Sequence, residues 1–69
     1  MPEITDWIEF EGERYYIEKG YRAESKWLEL DGHKFYLKED GRMAHDEVVT
    51  IDGIQYLFDE NGYFVGAGG

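Results

Sequence analysis

An all-β fold of three tandem β-hairpins, each about 20 residues long, is predicted by three coincident features. Two-residue turns ending in glycine stand at Glu11-Gly12, Asp31-Gly32 and Asp52-Gly53. The runs on either side of each turn alternate between apolar and polar residues. The runs open at Trp7, Trp27 and Val48, spaced by 20 and 21 residues. A recurring period of this kind marks an array of small units that bury their faces against one another.

The chain divides into units 7–26, 27–47 and 48–66, with a Gly-rich tail at 66–69 that is expected to fray. Met1–Asp6 reads as a lead-in, with Ile4 as a cap over the first hairpin. The middle unit shows the logic most clearly. Asp-Gly suits a type I′ turn, which needs positive φ at both central residues. With Asp31-Gly32 as that turn, Leu30 faces His33, Glu29 faces Lys34, Leu28 faces Phe35 and Trp27 faces Tyr36. Two hydrophobic pairs then flank an opposite-charge pair, and a one-residue slip destroys the pattern. The same register sets Glu9 opposite Arg14 and Thr50 opposite Gln55.

Alternation gives each hairpin two faces. The first carries Ile8, Phe10, Tyr15 and Ile17, then Leu28, Leu30, Phe35 and Leu37, then Val49, Ile51, Tyr56 and Phe58. It is the more apolar and is expected to line the interior. The second carries Trp7, Glu9, Arg14 and Tyr16, then Trp27, Glu29, Lys34 and Tyr36, then Val48, Thr50, Gln55 and Leu57. Segments 18–26 and 39–47 read as loops around Gly20 and Gly41, with Gly62 in the corresponding place of the third unit. The hairpins either stack as a solenoid or pair edge to edge as a single curled antiparallel sheet.

The recurring order is Trp, four residues, Gly, an aromatic-Tyr pair, an apolar residue, a loop Gly and a Met. It resembles the choline-binding and glucan-binding repeats of bacterial cell-wall-binding proteins, a superfamily that includes repeats of clostridial toxins. The third unit, TIDGIQYLFDENGYFVG, is most similar to the toxin type. The resemblance spans Trp7 to about Gly66 and implies a β-hairpin solenoid. It also implies a ligand held by aromatic residues between hairpins, with Trp7, Tyr16, Trp27, Tyr36 and Met43 as candidates. A choline cage needs a second ring just before the aromatic-Tyr pair, where this chain has Arg14, Lys34 and Gln55. Val48 and Leu57 replace the opening Trp and the Tyr in the third unit, and Arg22 and Phe64 stand at the place of Met43. A cation touching Arg14 or Lys34 is repelled, so choline is expected to bind no better than at roughly millimolar concentration. A glycan surface tolerates those cations, and Trp27, Tyr36, Tyr16, Lys34 and Glu29 are its candidates. The alternative is a structural, engineered or designed scaffold, or a protein-interaction module, in which the same rings only pack.

Composition narrows the partners. The net charge of −9 disfavours nucleic acid and anionic membranes. No apolar run is long enough to span a bilayer, and the acidic start MPEITD is not a signal peptide. The resemblance places such modules outside the cell or on the bacterial surface, so a mature fragment or an engineered chain is expected. With 69 residues and no cysteine, stability must come from aromatic packing between hairpins, to which self-association can add. Asp59-Glu60-Asn61-Gly62 lacks the spacing of a calcium loop and reads as a turn; no cofactor is indicated. Ser25 is the sole serine and has no patterned histidine partner, and His33 and His45 read as solvated, so no enzyme is expected. The third unit's second face is the most apolar of its kind. A homodimer through the C-terminal hairpin follows, with Leu57 and Phe64 near the contact.

Overall fold

The computed structural model describes residues 4–68, all of whose regular structure is β. Met1–Glu3 of the lead-in and Gly69 of the tail lie outside the described residues. The strands are β1 (Asp6–Phe10), β2 (Glu13–Glu18), β3 (Tyr21–Arg22), β4 (Lys26–Leu30), β5 (His33–Leu37), β6 (Glu47–Ile51), β7 (Ile54–Phe58) and β8 (Phe64–Gly68). They form three separate antiparallel sheets, β1-β2-β3, β4-β5 and β6-β7-β8. The single curled sheet is therefore ruled out: no strand edge bridges one unit to the next, and the units meet face to face.

Register follows the turn chemistry. Glu9 pairs with Arg14, Glu29 with Lys34 and Thr50 with Gln55. Each turn has positive φ at both central residues, near 51° at Glu11, 52° at Asp31 and 52° at Asp52, with 81°, 79° and 82° at the glycines. That is the twist a two-residue hairpin requires. The opposite charges at Glu9–Arg14 and Glu29–Lys34 share register positions, but among the described residues neither couple forms an ion pair. Contacts such as Lys38–Glu47, 3.1 Å, and Arg22–Glu24, 2.9 Å, form instead.

Several local expectations are corrected. Lys19-Gly20, with φ of 51° and 83°, makes a further tight turn, so part of the first loop becomes β3. Gly66–Gly68 do not fray; they lie in β8, opposite Leu57, Tyr56 and Gln55. Ile4 is 63% exposed and caps through its backbone, its carbonyl accepting from the Gly20 N–H at 3.0 Å. His33 is exposed, as expected, and also stacks on Tyr63, centroids 3.8 Å apart, while half-buried His45 lies 3.3 Å from Glu13.

The largest correction concerns the faces. The units stack front to back. The second face of hairpin 1 packs on the first face of hairpin 2, and hairpin 2 repeats this on hairpin 3. Trp7 meets Phe35 at 5.3 Å, while Trp27 meets Tyr56 at 5.1 Å and Phe58 at 5.7 Å. Both faces of the middle hairpin thus carry rings packed on a neighbouring unit, and Leu37 and Phe58 are almost fully buried. Among the described residues, no unit packs on the first face of hairpin 1. Phe10 is 61% exposed, and only the Arg22 guanidinium lies over Tyr15, 6.0 Å from its centroid.

Loops lock the stack. The Met43 N–H donates to the Arg14 carbonyl at 2.8 Å, tying the second loop to the first hairpin. Asp59 Oδ1 accepts from the N–H groups of Asn61 and Tyr63, each at 2.9 Å, so Asp59–Gly62 is an Asx-type turn. Arg22 and Met43 occupy equivalent positions, and each packs over the loop glycine of the following unit. A Cβ on Gly41 would stand 2.7 Å from Arg22 Cδ, and one on Gly62 would stand 2.5 Å from Met43 Cε. Both glycines have φ near 90°. Arg22 is exposed and can swing into solvent, whereas Met43 is buried. Gly41→Ala and Gly62→Ala therefore share the left-handed backbone cost of roughly 1–2 kcal/mol. Gly62→Ala should cost about 1 kcal/mol more from overpacking. Urea denaturation of the two variants checks this, and equal losses would contradict the packing of Met43 on the third loop.

Candidate functional site

The two inter-hairpin interfaces are built from equivalent residues but end differently. The first is filled. Trp7 packs edge-on against Tyr16 and Phe35, with centroids at 5.0 and 5.3 Å. Met43, 3% exposed, closes it from the second loop. Tyr63 reaches back from the third unit's loop, 5.5 Å from Phe35 and stacked on His33. A loop two units downstream thus completes the first interface. No described residue stands in the corresponding place at the second.

The second interface is open. A cleft of about 390 Å³ is lined by Trp27, Leu28, Glu29, Lys34, Tyr56 and Phe64. Trp27 is 37% exposed and meets Tyr36, Tyr56 and Phe64 at 5.1, 5.1 and 5.8 Å. The Trp27 ring stands at 69° to Tyr56 and 85° to Phe64, so the three rings form a corner rather than a stack. Edge-to-face pairs of this kind stabilise the fold while leaving ring surface accessible. Glu29 and Lys34, both exposed, stand on the β4 and β5 strands that border the corner. Aromatic walls with a few charged groups at the opening hold either a cation, through ring faces, or a sugar, through stacking and hydrogen bonds.

The expected residues are distributed unevenly. Trp27 is in the cleft. Tyr36 packs on Trp27 but borders a different groove with Ser25, Lys38 and Val49. Trp7 and Tyr16 belong to the filled first interface, and Met43 is buried there, beside a smaller cleft of about 200 Å³ with Glu9, Arg14 and His45. Of the glycan candidates, Trp27, Glu29 and Lys34 are together, while Tyr16 is packed on Trp7 in the first interface. Tyr56 and Phe64 were not among the expected site residues. The signal for both lay in the repeat: Tyr56 is the equivalent of Phe35, and Phe64 follows Met43 by the 21-residue spacing of the second and third units.

Comparison with known proteins places the chain. A family model for the choline-binding type of cell wall binding repeat matches residues 25–43 and 49–64, about half of the chain. The pneumococcal cell wall endolysin from phage Cp-1, solved with choline, is 34% identical with a TM-score of 0.83, covering 88% of this chain and 18% of the endolysin. The choline-binding domain of CbpL from Streptococcus pneumoniae is 26% identical with a TM-score of 0.74, covering 90% of this chain and 34% of that one. The choline-binding domain of Spr1274 from Streptococcus pneumoniae, 23% identical, shares the fold with a TM-score of 0.81 over 91% of this chain and 96% of that one. The chain thus spans about a fifth of the endolysin's length. Curated protein sequences yield no match.

Proposed function

The chain belongs to the family of choline-binding-type cell wall binding repeats, and we propose that it is a non-catalytic module that attaches to a polymer of the bacterial cell surface. The observation that carries this reading is the open corner of Trp27, Tyr56 and Phe64 between the second and third hairpins. Its walls come from two units, so the ligand is held only when the stack is formed. The module acts outside the cell or on its surface. No cofactor enters the reading, and the candidate ligands are a choline-like cation or a glycan.

The cleft departs from a cation cage at one position. Lys34 stands where a second ring would close around a quaternary ammonium. A ring contributes roughly 0.5–2 kcal/mol to holding a cation, and Lys34 replaces that with repulsion. Choline therefore binds at roughly millimolar concentration or more weakly, while a sugar face stacked on Trp27 can use Glu29 and Lys34 as hydrogen-bond partners. A second reading, a structural scaffold without a small ligand, is favoured for the first interface alone. There Trp7, Tyr16 and Met43 are consumed by packing with Phe35 and Tyr63.

The third hairpin's second face supports self-association. Val48 is 54% and Leu57 47% exposed, and with Gln55, Gly66, Ala67 and Gly68 they border a groove of about 310 Å³ that carries no charge. We infer a homodimer through this face. Phe64 is not part of the contact, because it points into the stack beside Trp27 and Phe58.

Two experiments test these readings. Trp27 reports the cleft, so its fluorescence should change on titration with soluble glucan. Lys34→Trp should lower the dissociation constant for choline at least tenfold by restoring the missing wall. If neither glucan nor choline changes the emission of either protein, the cleft is not a ligand site and the scaffold reading takes its place. For the dimer, Leu57→Lys should sediment as a monomer with its fold intact. An unmodified chain that already sediments as a monomer at about a hundred micromolar, well above the concentration at which a micromolar dimer forms, would contradict the association.

A further inference from the structure

We propose that the outer edge of β6 is a docking site for an extended basic peptide, which adds to the third sheet as a further strand. The surface shares no lining residue with the Trp27 cleft and does not depend on the reading of that cleft.

β6 is an edge strand of the β6-β7-β8 sheet. Ile51 and Ile54 flank a two-residue turn and exchange hydrogen bonds, so the next pair, Thr50 and Gln55, does not. By the same alternation the N–H and C=O groups of Val48 and Thr50 point away from β7. Among the described residues no other backbone group bonds to them. The corresponding outward places hold Trp7 and Glu9 on β1, and Trp27 and Glu29 on β4. A charged side chain guards an edge against strand addition, and β6 has Thr50 where β1 and β4 have glutamate. Val48, Val49, Thr50 and Ile51 are all β-branched, which suits extended pairing. The opposite edge, β8, ends in Gly66, Ala67 and Gly68 and has little side chain with which to grip a guest.

A groove of about 430 Å³ runs along the β6 edge. It touches residues 49–52 in succession, so it meets the edge of the strand and not one face alone. Val49 and Ile51 give it an apolar floor, and Lys38, Glu39 and Asp52 stand at its rim. Lys38 is engaged by Glu47 at 3.1 Å, whereas among the described residues Glu39 and Asp52 form no ion pair. Alternate side chains of an added strand fall on Val49 and Ile51, and flanking Lys or Arg residues meet Glu39 and Asp52. The net charge of −9 draws a basic segment towards the chain. A second copy is a poorer guest. Pairing Val48 with Thr50 of a two-fold-related β6 sets Asp46 opposite Asp52 at both ends, and like charges directly opposed are destabilising.

The test uses a blocked peptide, KVTVTVK, its acidic counterpart EVTVTVE, and KVTVTVK N-methylated on alternate amides in each of the two phases. By fluorescence anisotropy, KVTVTVK should bind the unmodified chain at least ten times more tightly than EVTVTVE. One phase of methylation should weaken binding at least tenfold and the other should not, because only one row of amides faces β6. Hydrogen exchange at the Val48 and Thr50 amides should slow at least tenfold when KVTVTVK is added, while Trp27 and Glu29 amides are unaffected. Thr50→Pro removes the outward N–H at a place where an edge strand tolerates proline. It should abolish binding with the melting temperature within a few degrees; the exchange measurement on the unmodified chain decides the matter if this variant does not fold. No binding of KVTVTVK, equal binding of EVTVTVE, indifference to both phases of methylation, or protection elsewhere than at Val48 and Thr50 would each overturn the inference. A dimer of the unmodified chain that Thr50→Pro converts to a monomer would show a second copy to be the occupant and overturn it likewise.

Discussion

The packing of one hairpin's Trp–Tyr face on the next hairpin's apolar face is the contact on which the rest of the molecule depends. An isolated two-stranded hairpin is marginal at best in water. This chain has no cysteine to staple them, and its three sheets share no strand. What joins them is the Trp7–Phe35 contact at one interface and the contacts of Trp27 with Tyr56, Phe58 and Phe64 at the other. Removing a packed aromatic ring from such a site typically costs about 3–5 kcal/mol, comparable to the net stability of a domain this small. The two ends are correspondingly weak. Ile8 and Phe10 are exposed at one end, Val48 and Leu57 at the other, and all buried apolar side chains lie between Ala23 and Phe58.

The same stacking decides where a ligand fits. Each interface presents an opening Trp, a ring from the next hairpin, and the loop position held by Met43 or Phe64. At the first, Met43 and Tyr63 occupy the space, and the rings serve stability. At the second, Phe64 forms a wall of the corner, no described residue takes the place Tyr63 has at the first, and the cleft is open. Two interfaces of one sequence pattern therefore divide into a structural one and a candidate binding one. Lys34 then sets the character of the open cleft, because its charge stands where the choline-binding pattern calls for a ring.

Much of the fold was legible before any coordinates. Turn chemistry at Asp31-Gly32 fixes strand register, and register fixes which residues share a face, so all three pairings followed from local sequence. Alternation does not say which neighbour covers a face. For that reason the second faces, with their charges, were not recognised as interior, and Ile8 and Phe10 were expected inside. β3 was hidden because Lys19-Gly20 lacks the Asp or Asn usual at the first position of such a turn. β8 was hidden because glycines carry no alternation signal. The stack of His33 on Tyr63 joins the second hairpin to the third unit's loop, a contact that local pattern does not encode. At the site, Trp27, Glu29 and Lys34 were legible within one hairpin, whereas Tyr56 and Phe64 depend on how two hairpins meet.

Proton–proton nuclear Overhauser contacts of the two indole rings test the front-to-back stack most directly. The account predicts contacts from Trp7 to Phe35 and from Trp27 to both Tyr56 and Phe64 in the unmodified chain. Indole protons that touch only their own hairpins, Tyr16 for Trp7 and Tyr36 for Trp27, would contradict it.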